Sequence, residues 1–295
     1  MSSPLSPEGL LVIDKPEGIT SHDVVQQIRR LSRIRRVGHA GTLDPLATGV
    51  LLVCLGRATR LIEYLVGQPK TYVGVVRLGQ KTDTYDAEGK VTQVRPVTVG
   101  EEEIAAALHN FRGRIQQVPP LYSALKKEGQ PLYKLARQGQ IIDVPARPVT
   151  IYELEILAWN LPDVTLRVVC SAGTYIRSLA HDVGEQLGCG GHLVALRRTA
   201  VGMMTIDAAA PLASLSPDNW TTHLQLPETA VAHLPALNLT AAQVDGLNKG
   251  QLPLREPDQP VALLMRGYDE RGRFWGIVSP WQMSWKVEKL MPPEA

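Results

Sequence analysis

The stretch GHAGTLDPLATG occupies residues 38–49 and runs directly into the apolar segment VLLVCL, residues 50–55. The apolar segment has the length and composition of a buried strand. The stretch before it holds three glycines and a proline, so we expect residues 33–49 to form a loop. Pro45 keeps the preceding residue, Asp44, out of the helical region of backbone conformation. The sequence therefore predicts a fixed loop that presents the Asp44 carboxylate beside a buried strand.

The neighbours of Asp44 are apolar, since it lies between Leu43 and the pair Pro45-Leu46. We therefore expect its carboxylate to be partly desolvated. A carboxylate in such surroundings needs a cation or a hydrogen-bond donor to stay charged. The alternative is that Asp44 does no more than begin an Asp-Pro turn.

Arg177 occupies an unfavourable place in a predicted helix. The apolar stripe over residues 174–187 predicts this helix, and Arg177 lies in its first turn, off the stripe and at the positive end of the helix dipole. An anionic partner, either Asp44 or a phosphate group, would explain this placement. The other interpretation is an arginine that simply reaches solvent.

Helix and strand patterns are mixed along the chain without strict alternation, which favours an α+β fold. The polar, turn-rich segment at residues 78–91 is expected to be an exposed connection. The composition changes near residue 211, and strands are predicted beyond it at residues 261–265, 274–278 and 285–290. The predicted organisation is a main domain over residues 1–210, a connecting segment over 211–235 and a small β-rich module over 236–295.

The composition of the 295-residue chain, 44% hydrophobic and 20% charged, indicates a folded protein. Its 3 cysteines are widely spaced, which argues against a disulfide framework and fits a reducing cytoplasm. No apolar run approaches the roughly 20 residues of a membrane helix, and no signal peptide is recognised. There is no phosphate-binding loop, no dinucleotide fingerprint and no metal-ligand spacing. We expect a cytoplasmic protein that uses no membrane, no metal and no cofactor.

The net charge of +2 hides an uneven distribution. Residues 21–60 carry seven Arg against two Asp, and residues 112–139 carry six Lys or Arg against one Glu. Residues 205–260 reverse the sign. The two basic regions are candidate phosphate-binding surfaces, and the alternative is that each is an ordinary solvated face.

Several long motifs resemble the TruB family of tRNA pseudouridine synthases. They are LLVIDKPEGITSHD (10–23), GHAGTLDPLATGVLLVCLGRAT (38–59), KTY (70–72), GQKTDTYDAEG (79–89), LYSALK (121–126) and SAGTYIRSLAHDVGEQLG (171–188). The resemblance spans about residues 9–202. The segment PLATG, where guide-RNA-dependent relatives have PKVTG, places the resemblance in the bacterial stand-alone branch.

This resemblance implies the pseudouridine synthase fold, with a mixed, largely antiparallel central sheet flanked by helices. The C-terminal module more weakly resembles a PUA RNA-binding domain. The implied reaction converts uridine to pseudouridine at position 55, in the T-loop of tRNA. It has no net redox change, so it requires no cofactor. The implied partner is the tRNA T-arm without a guide RNA, and our default oligomeric state is a monomer.

The resemblance also implies roles for individual residues. Asp44 matches the catalytic carboxylate, Tyr72 the tyrosine that stacks on the target base and can accept the C5 proton, and Arg177 the arginine that pairs with the aspartate. His39 matches the residue that fills the stack after base flipping, and Tyr175 is expected to line the pocket. Further expected RNA contacts are Lys15, Lys126, Arg33, Arg35 and Arg36.

Three alternatives stay open at this point. Asp44 can attack C1′ of the ribose or assist removal of the 2′ hydrogen. The protein can be an RNA-binding and tRNA-folding module whose catalysis is secondary. It can also be a nucleoside hydrolase built on Asp44, which would liberate free uracil.

Overall fold

The structure is a computed structural model that describes residues 7–123, 126–127, 130–131 and 144–291. The strands are β1 (Gly9–Lys15), β2 (Val37–Ala40), β3 (Ala47–Leu55), β4 (Lys70–Leu78), β5 (Gln80–Thr82), β6 (Val91–Val94), β7 (Gly113–Gln117), β8 (Lys126–Lys127), β9 (Gln130–Pro131), β10 (Arg147–Asn160), β11 (Asp163–Cys170), β12 (Gly191–Val201), β13 (Met204–Thr205), β14 (Ala210–Pro211), β15 (Ala236–Asn238), β16 (Met265–Tyr268), β17 (Phe274–Trp281) and β18 (Ser284–Leu290). The α-helices are α1 (Ser21–Ser32), α2 (Ile62–Val66), α3 (Glu101–His109), α4 (Ile176–Gln186) and α5 (Ala241–Asn248).

A mixed central sheet organises the main part of the molecule. Its strand order is β14-β1-β3-β12-β4-β11-β10-β7, with β2 paired to β3 and β13 to β12. The pairs β1–β14 and β3–β12 are parallel, and the other pairs are antiparallel. This arrangement confirms the predicted α+β class with a largely antiparallel sheet.

Both faces of the central sheet are buried at β1 and β3, which is why these two strands read as continuous apolar runs. Successive side chains of a strand point to opposite faces. One face carries Leu11, Ile13, Leu51, Val53 and Leu55, and the other carries Leu10, Val12, Val50, Leu52 and Cys54. Helices α1, α3 and α4 cover the first face. Helix α2 and residues of the C-terminal sheet cover the second face.

The C-terminal part forms a separate sheet in the order β15-β16-β17-β18. Trp275 and Trp285 fill its own small core, together with Leu247 of α5. The strand predicted at 261–265 lies instead at Met265–Tyr268, whereas the other two predicted strands fall within β17 and β18. Phe274 and Ile277 of this sheet pack into the core shared with β1 and β3, so the two sheets share buried surface.

Two expectations about local structure were wrong. Residues 33–49 are not all loop, because β2 pairs with β3 over Val37–Ala40. The segment at residues 78–91 is not simply exposed: it includes β5, and Thr82 and Asp86 are buried. The sequence did not predict strand β2 or the burial within residues 78–91, because glycines and polar residues weaken the apolar pattern on which strand prediction depends. None of the helices in the described ranges combines the length and apolar character of a membrane span.

Candidate active site

Two buried polar side chains anchor the Asp44 loop to β1 and α1. Lys15, the last residue of β1, is fully buried, and its Nζ donates to the Pro45 carbonyl (3.3 Å) and to two carbonyls of the turn after β1. The Oγ of Ser21, the first residue of α1, donates to the Leu43 carbonyl (3.1 Å) and accepts from the Leu43 N–H (2.8 Å). These bonds fix the backbone on both sides of Asp44.

Arg198 stabilises the same loop through hydrogen bonds from the neighbouring strand β12. It comes from β12, whose parallel pairing with β3 places Arg198 opposite Gly49. The side chain is 1% exposed, and it donates to the carbonyls of Val50 (2.7 Å), Gly41 (3.1 Å) and Thr42 (3.4 Å). At Gly49, with φ of +98°, an added Cβ would lie 2.2 Å from the Arg198 carbonyl oxygen. The end of the loop therefore requires glycine.

Arg177 joins two carboxylates. Its Nε lies 3.0 Å from Oδ2 of Asp44, and its Nη1 lies 3.2 Å from Oδ2 of Asp86. The guanidinium also donates to the carbonyls of Thr84 (3.3 Å) and Tyr122 (3.0 Å). Arg177 is 4% exposed and Asp86 is 2% exposed, so the pair is fixed inside the protein. This geometry accounts for the unfavourable position of Arg177 in the first turn of α4.

The start of α4 is fixed by the end of β7. The side-chain amide of the buried Gln117 donates to the Tyr175 carbonyl (3.0 Å) and accepts from the Tyr175 N–H (2.8 Å). The Oγ of Ser178 donates to the Val118 carbonyl (2.8 Å). Since Arg177 lies between Tyr175 and Ser178, these bonds also determine where its guanidinium reaches.

The electrostatics of the site act on Asp44 in opposite directions. Burial raises the pKa of its carboxyl, and the Arg177 guanidinium opposes that rise, while the charge of Asp86 adds to it. The Asp44 side chain is 38% exposed, so one side of it faces the opening of the site. Burial also raises the pKa of Tyr72, which the nearby Arg198 guanidinium counteracts.

These groups surround a cavity of about 320 Å³. Among the described residues that line it are Asp44, Lys70, Tyr72, Tyr175, Arg177 and Arg198, with Asp44 as the only carboxylate. Hydrolysis of a glycosidic bond ordinarily uses two carboxylates across that bond. A single carboxylate beside an arginine suits a nucleophile or a base in a partly closed site. Within the described ranges, no group of three or more His, Cys, Asp or Glu side chains could hold a metal ion.

Comparison with known proteins places this geometry in a family. Residues 29–176 match the N-terminal domain of the TruB family pseudouridylate synthases, and residues 177–234 match the tRNA pseudouridylate synthase B C-terminal domain. The chain belongs to the TruB family. It is 44% identical to tRNA pseudouridine synthase B of Haemophilus influenzae, over 92% of this chain and 89% of the relative. It is 45% identical to the Pseudomonas aeruginosa protein of the same name, over 91% and 90%.

Solved structures support the same placement in the TruB family. A chain of an H/ACA RNP bound to a substrate RNA containing 2′-deoxyuridine is 26% identical, with a TM-score of 0.74, and the match covers 97% of this chain and 85% of that one. A chain of a Cbf5-Nop10-Gar1 complex is 29% identical, also with a TM-score of 0.74, over 96% and 85%. Because these matches leave out only 3–4% of the chain, they include most of the C-terminal sheet, where the sequence resemblance was weaker.

The cavity brings together four of the residues that the TruB resemblance singled out: Asp44, Tyr72, Tyr175 and Arg177. His39 lies in β2 and is not among the residues lining the cavity. Its side chain is partly buried, and burial lowers its pKa.

The other expected RNA contacts are divided between surface and interior. Arg33, Arg35 and Arg36 are exposed where α1 ends, as a phosphate-binding role requires. Lys15 differs from the expectation, because its ammonium group is enclosed by backbone carbonyls and supports the Asp44 loop. Lys126 lies in β8, and its side chain is outside the described part of the structure, as is much of the basic region at 112–139.

Sequence reasoning missed four buried polar residues at the site: Lys70, Asp86, Gln117 and Arg198. Asp86 sits in a segment whose polarity suggested exposure. Arg198 follows another arginine in β12, and alternation along a strand would have placed one of the two on a buried face. That alternation is the signal that could have identified it.

Proposed function

We propose that this chain is an isomerase that converts uridine to pseudouridine at position 55, in the T-loop of tRNA, with Asp44 as its catalytic carboxylate. The observation that supports this most directly is the Asp44–Arg177 ion pair, 3.0 Å long, at the cavity of a TruB-family chain. Relatives that are about 45% identical over nine-tenths of the chain carry the name tRNA pseudouridine synthase B.

The reaction breaks the C1′–N1 bond, turns the uracil and joins C5 to C1′. Burial raises the pKa of the Asp44 carboxyl and the Arg177 guanidinium opposes that rise, so the ion pair favours the ionised form that can act as a nucleophile at C1′ or as a base at the 2′ hydrogen. Recapture of the base requires that it stays in the cavity and that water is excluded. The anchored loop and the buried tyrosine Tyr72 suit that requirement.

The target nucleotide must leave its stack to reach the cavity. Tyr72 lines the wall and offers an aromatic face to the extruded base. His39, near the loop but outside the cavity, is suited to fill the vacated position in the RNA. The exposed cluster of Arg33, Arg35 and Arg36 would hold phosphates and position the T-arm.

The proposed enzyme needs no guide RNA. The PLATG segment and the high-coverage relatives favour the stand-alone branch. The structural neighbours come from H/ACA assemblies, so a direct assay is required. Purified protein and a T-arm transcript, with no other RNA, should be sufficient for activity.

Release of tritium from C5-labelled uridine in a T-arm transcript tests the proposal. Wild-type protein should release tritium and leave pseudouridine at position 55, while Asp44→Asn should release none. Undiminished release by Asp44→Asn would remove Asp44 from the mechanism. Free uracil in the reaction would instead indicate a hydrolase, and tRNA binding and refolding without any release would indicate an RNA-folding module.

A further inference from the structure

Lys70 and Arg198 place two buried cations in the wall of the cavity without a carboxylate partner among the described residues. Lys70 is 6% exposed, and its Nζ donates to the carbonyls of Val66 and Gln68. Arg198 donates to the backbone carbonyls of Val50, Thr42 and Gly41. A Cβ added to Gly41 would lie 3.6 Å from Nη1 of Arg198 and 4.0 Å from Cε of Lys70, so both side chains lie beneath the same part of the loop.

Two like charges buried next to each other are unfavourable for the folded protein. Their effect is visible at Lys70, where burial and the charge of Arg198 lower the pKa to about 8. Positive groups fixed in the wall of a cavity can stabilise negative charge that develops there during a reaction.

The cations lie on the Tyr72 side of the cavity rather than beside Asp44. The charges that act most strongly on Asp44 are Arg177, Asp86 and Lys15. Arg198 is the charge that acts most strongly on Tyr72. Asp44 is therefore paired with Arg177, whereas Arg198 lies next to Tyr72, its partner in the pairing of β12 with β4.

We propose that Lys70 and Arg198 are catalytic residues that stabilise the uracil anion formed when the glycosidic bond breaks. This inference rests on the proposed pseudouridine synthase function. Uracil is neutral in the bound substrate and carries a negative charge only after cleavage, so the cations act on the transition state more than on the substrate.

The bond changes balance without a co-reactant. The C1′–N1 electron pair moves into the ring, where N1 and the carbonyl oxygens share the charge. C1′ takes up the Asp44 carboxylate, or the 2′ carbon loses a proton to it. When C5 joins C1′, the carboxylate leaves or the 2′ proton returns. The C5 proton is then released while N1 gains one, so the product is an isomer of the substrate.

Single-turnover cleavage of two T-arm substrates tests this role, one with uridine at the target position and one with 5-fluorouridine. Fluorine withdraws electrons and stabilises the uracil anion without help from the protein. Disappearance of the parent nucleoside after digestion reports bond cleavage in both substrates. Lys70→Met should slow cleavage of uridine by on the order of 10²-fold. Its defect with 5-fluorouridine should be at least several-fold smaller, and its affinity for RNA should be unchanged.

Three further variants control for structure. Lys70→Arg keeps the charge and should retain most of the rate. Arg198→Lys should cleave the uridine substrate faster than Arg198→Gln does. The defect of Arg198→Gln should also be smaller with the 5-fluorouridine substrate. Arg197→Gln, a neighbour on the same strand that pairs with Asp14 outside the cavity, should cleave at the wild-type rate. Melting curves establish whether each variant is folded. If the Arg198 variants are unfolded, the comparison of Lys70→Met with Lys70→Arg tests the proposal on its own.

Equal defects of Lys70→Met on both substrates would overturn the proposal. Weaker RNA binding with a reduced salt dependence and an unchanged cleavage rate would also overturn it, since that result assigns the cations to a phosphate. Wild-type protein that forms no pseudouridine would refute the proposed function itself, a result distinguishable from either of these.

Discussion

The Nη1 of Arg177 lies 3.2 Å from Oδ2 of Asp86, a buried carboxylate outside the cavity lining. Asp86 also accepts from the Glu88 N–H (3.1 Å), so it is itself fixed in the segment that the sequence suggested was exposed. Asp86 therefore holds the Arg177 guanidinium in place, and Arg177 in turn contacts Asp44. Loss of the Asp86 carboxylate should shift the guanidinium away from Asp44.

We expect Asp86→Asn to lower single-turnover tritium release by about 10-fold or more, because misplacement of a positioned charge costs transition-state stabilisation. Loss of a buried charge partner should also destabilise the fold by about 3 kcal/mol. The control is Asp163→Asn, which breaks the Arg77–Asp163 pair (2.7 Å), and neither of these residues lines the cavity. That variant should retain activity, and equal activity losses in the two variants would contradict a positioning role for Asp86.

The pH dependence of activity should report the Asp44–Arg177 pair. Burial raises the pKa of Asp44 and the Arg177 guanidinium opposes that rise. The ionised carboxylate is lost as the pH falls through the pKa of Asp44, which sets the acid limb of the activity profile. Arg177→Gln removes the opposing charge, and the acid limb of the single-turnover profile should move to higher pH. Profiles of wild type and variant between pH 5 and 9 measure this shift. A uniform loss at every pH, with the acid limb unmoved, would indicate that Arg177 does not control ionisation of Asp44.

Local chemistry was sufficient to predict the Asp44 loop and the anomaly at Arg177. The proline and the glycines define the loop, and the helix dipole makes the arginine conspicuous. The contact between Asp44 and Arg177 is set by sheet and helix packing, which local periodicity does not encode. The same reason explains why Arg198 was missed, since only the parallel register of β12 on β3 brings it beneath the loop.

Stability should depend on pH through Lys15. Burial lowers its pKa from 10.5 to about 8, so between those values the unfolded state binds more protons than the folded state. The free energy of unfolding of wild type minus that of Lys15→Met should therefore increase as the pH rises from about 8 to 10.5. Urea unfolding of both proteins at pH 7.5 and pH 10 measures the difference. A constant difference would show that the Lys15 pKa is not depressed in the folded protein.

Gly49 should tolerate no side chain. At φ of +98°, Gly49→Ala would place a methyl group 2.2 Å from the Arg198 carbonyl oxygen, so β3 and β12 must separate. We expect a loss of more than about 1 kcal/mol in the free energy of unfolding, together with reduced activity. Gly67→Ala is the matched control, because Gly67 has φ of −74° and open space around its Cα. It should be neutral, and a neutral Gly49→Ala would mean that the loop relaxes without cost.

The exposed arginines at the end of α1 should act on binding rather than on chemistry. Each phosphate contact contributes up to about 0.9 to the slope of log affinity against log salt concentration. Changing Arg33, Arg35 and Arg36 to Gln should weaken tRNA binding and reduce that slope, while the saturated single-turnover rate stays within about twofold of wild type. Arg167→Gln controls for loss of surface charge, because Arg167 is already paired with Glu153 and Glu155. An unchanged salt slope in the triple variant would place the phosphates elsewhere on the protein.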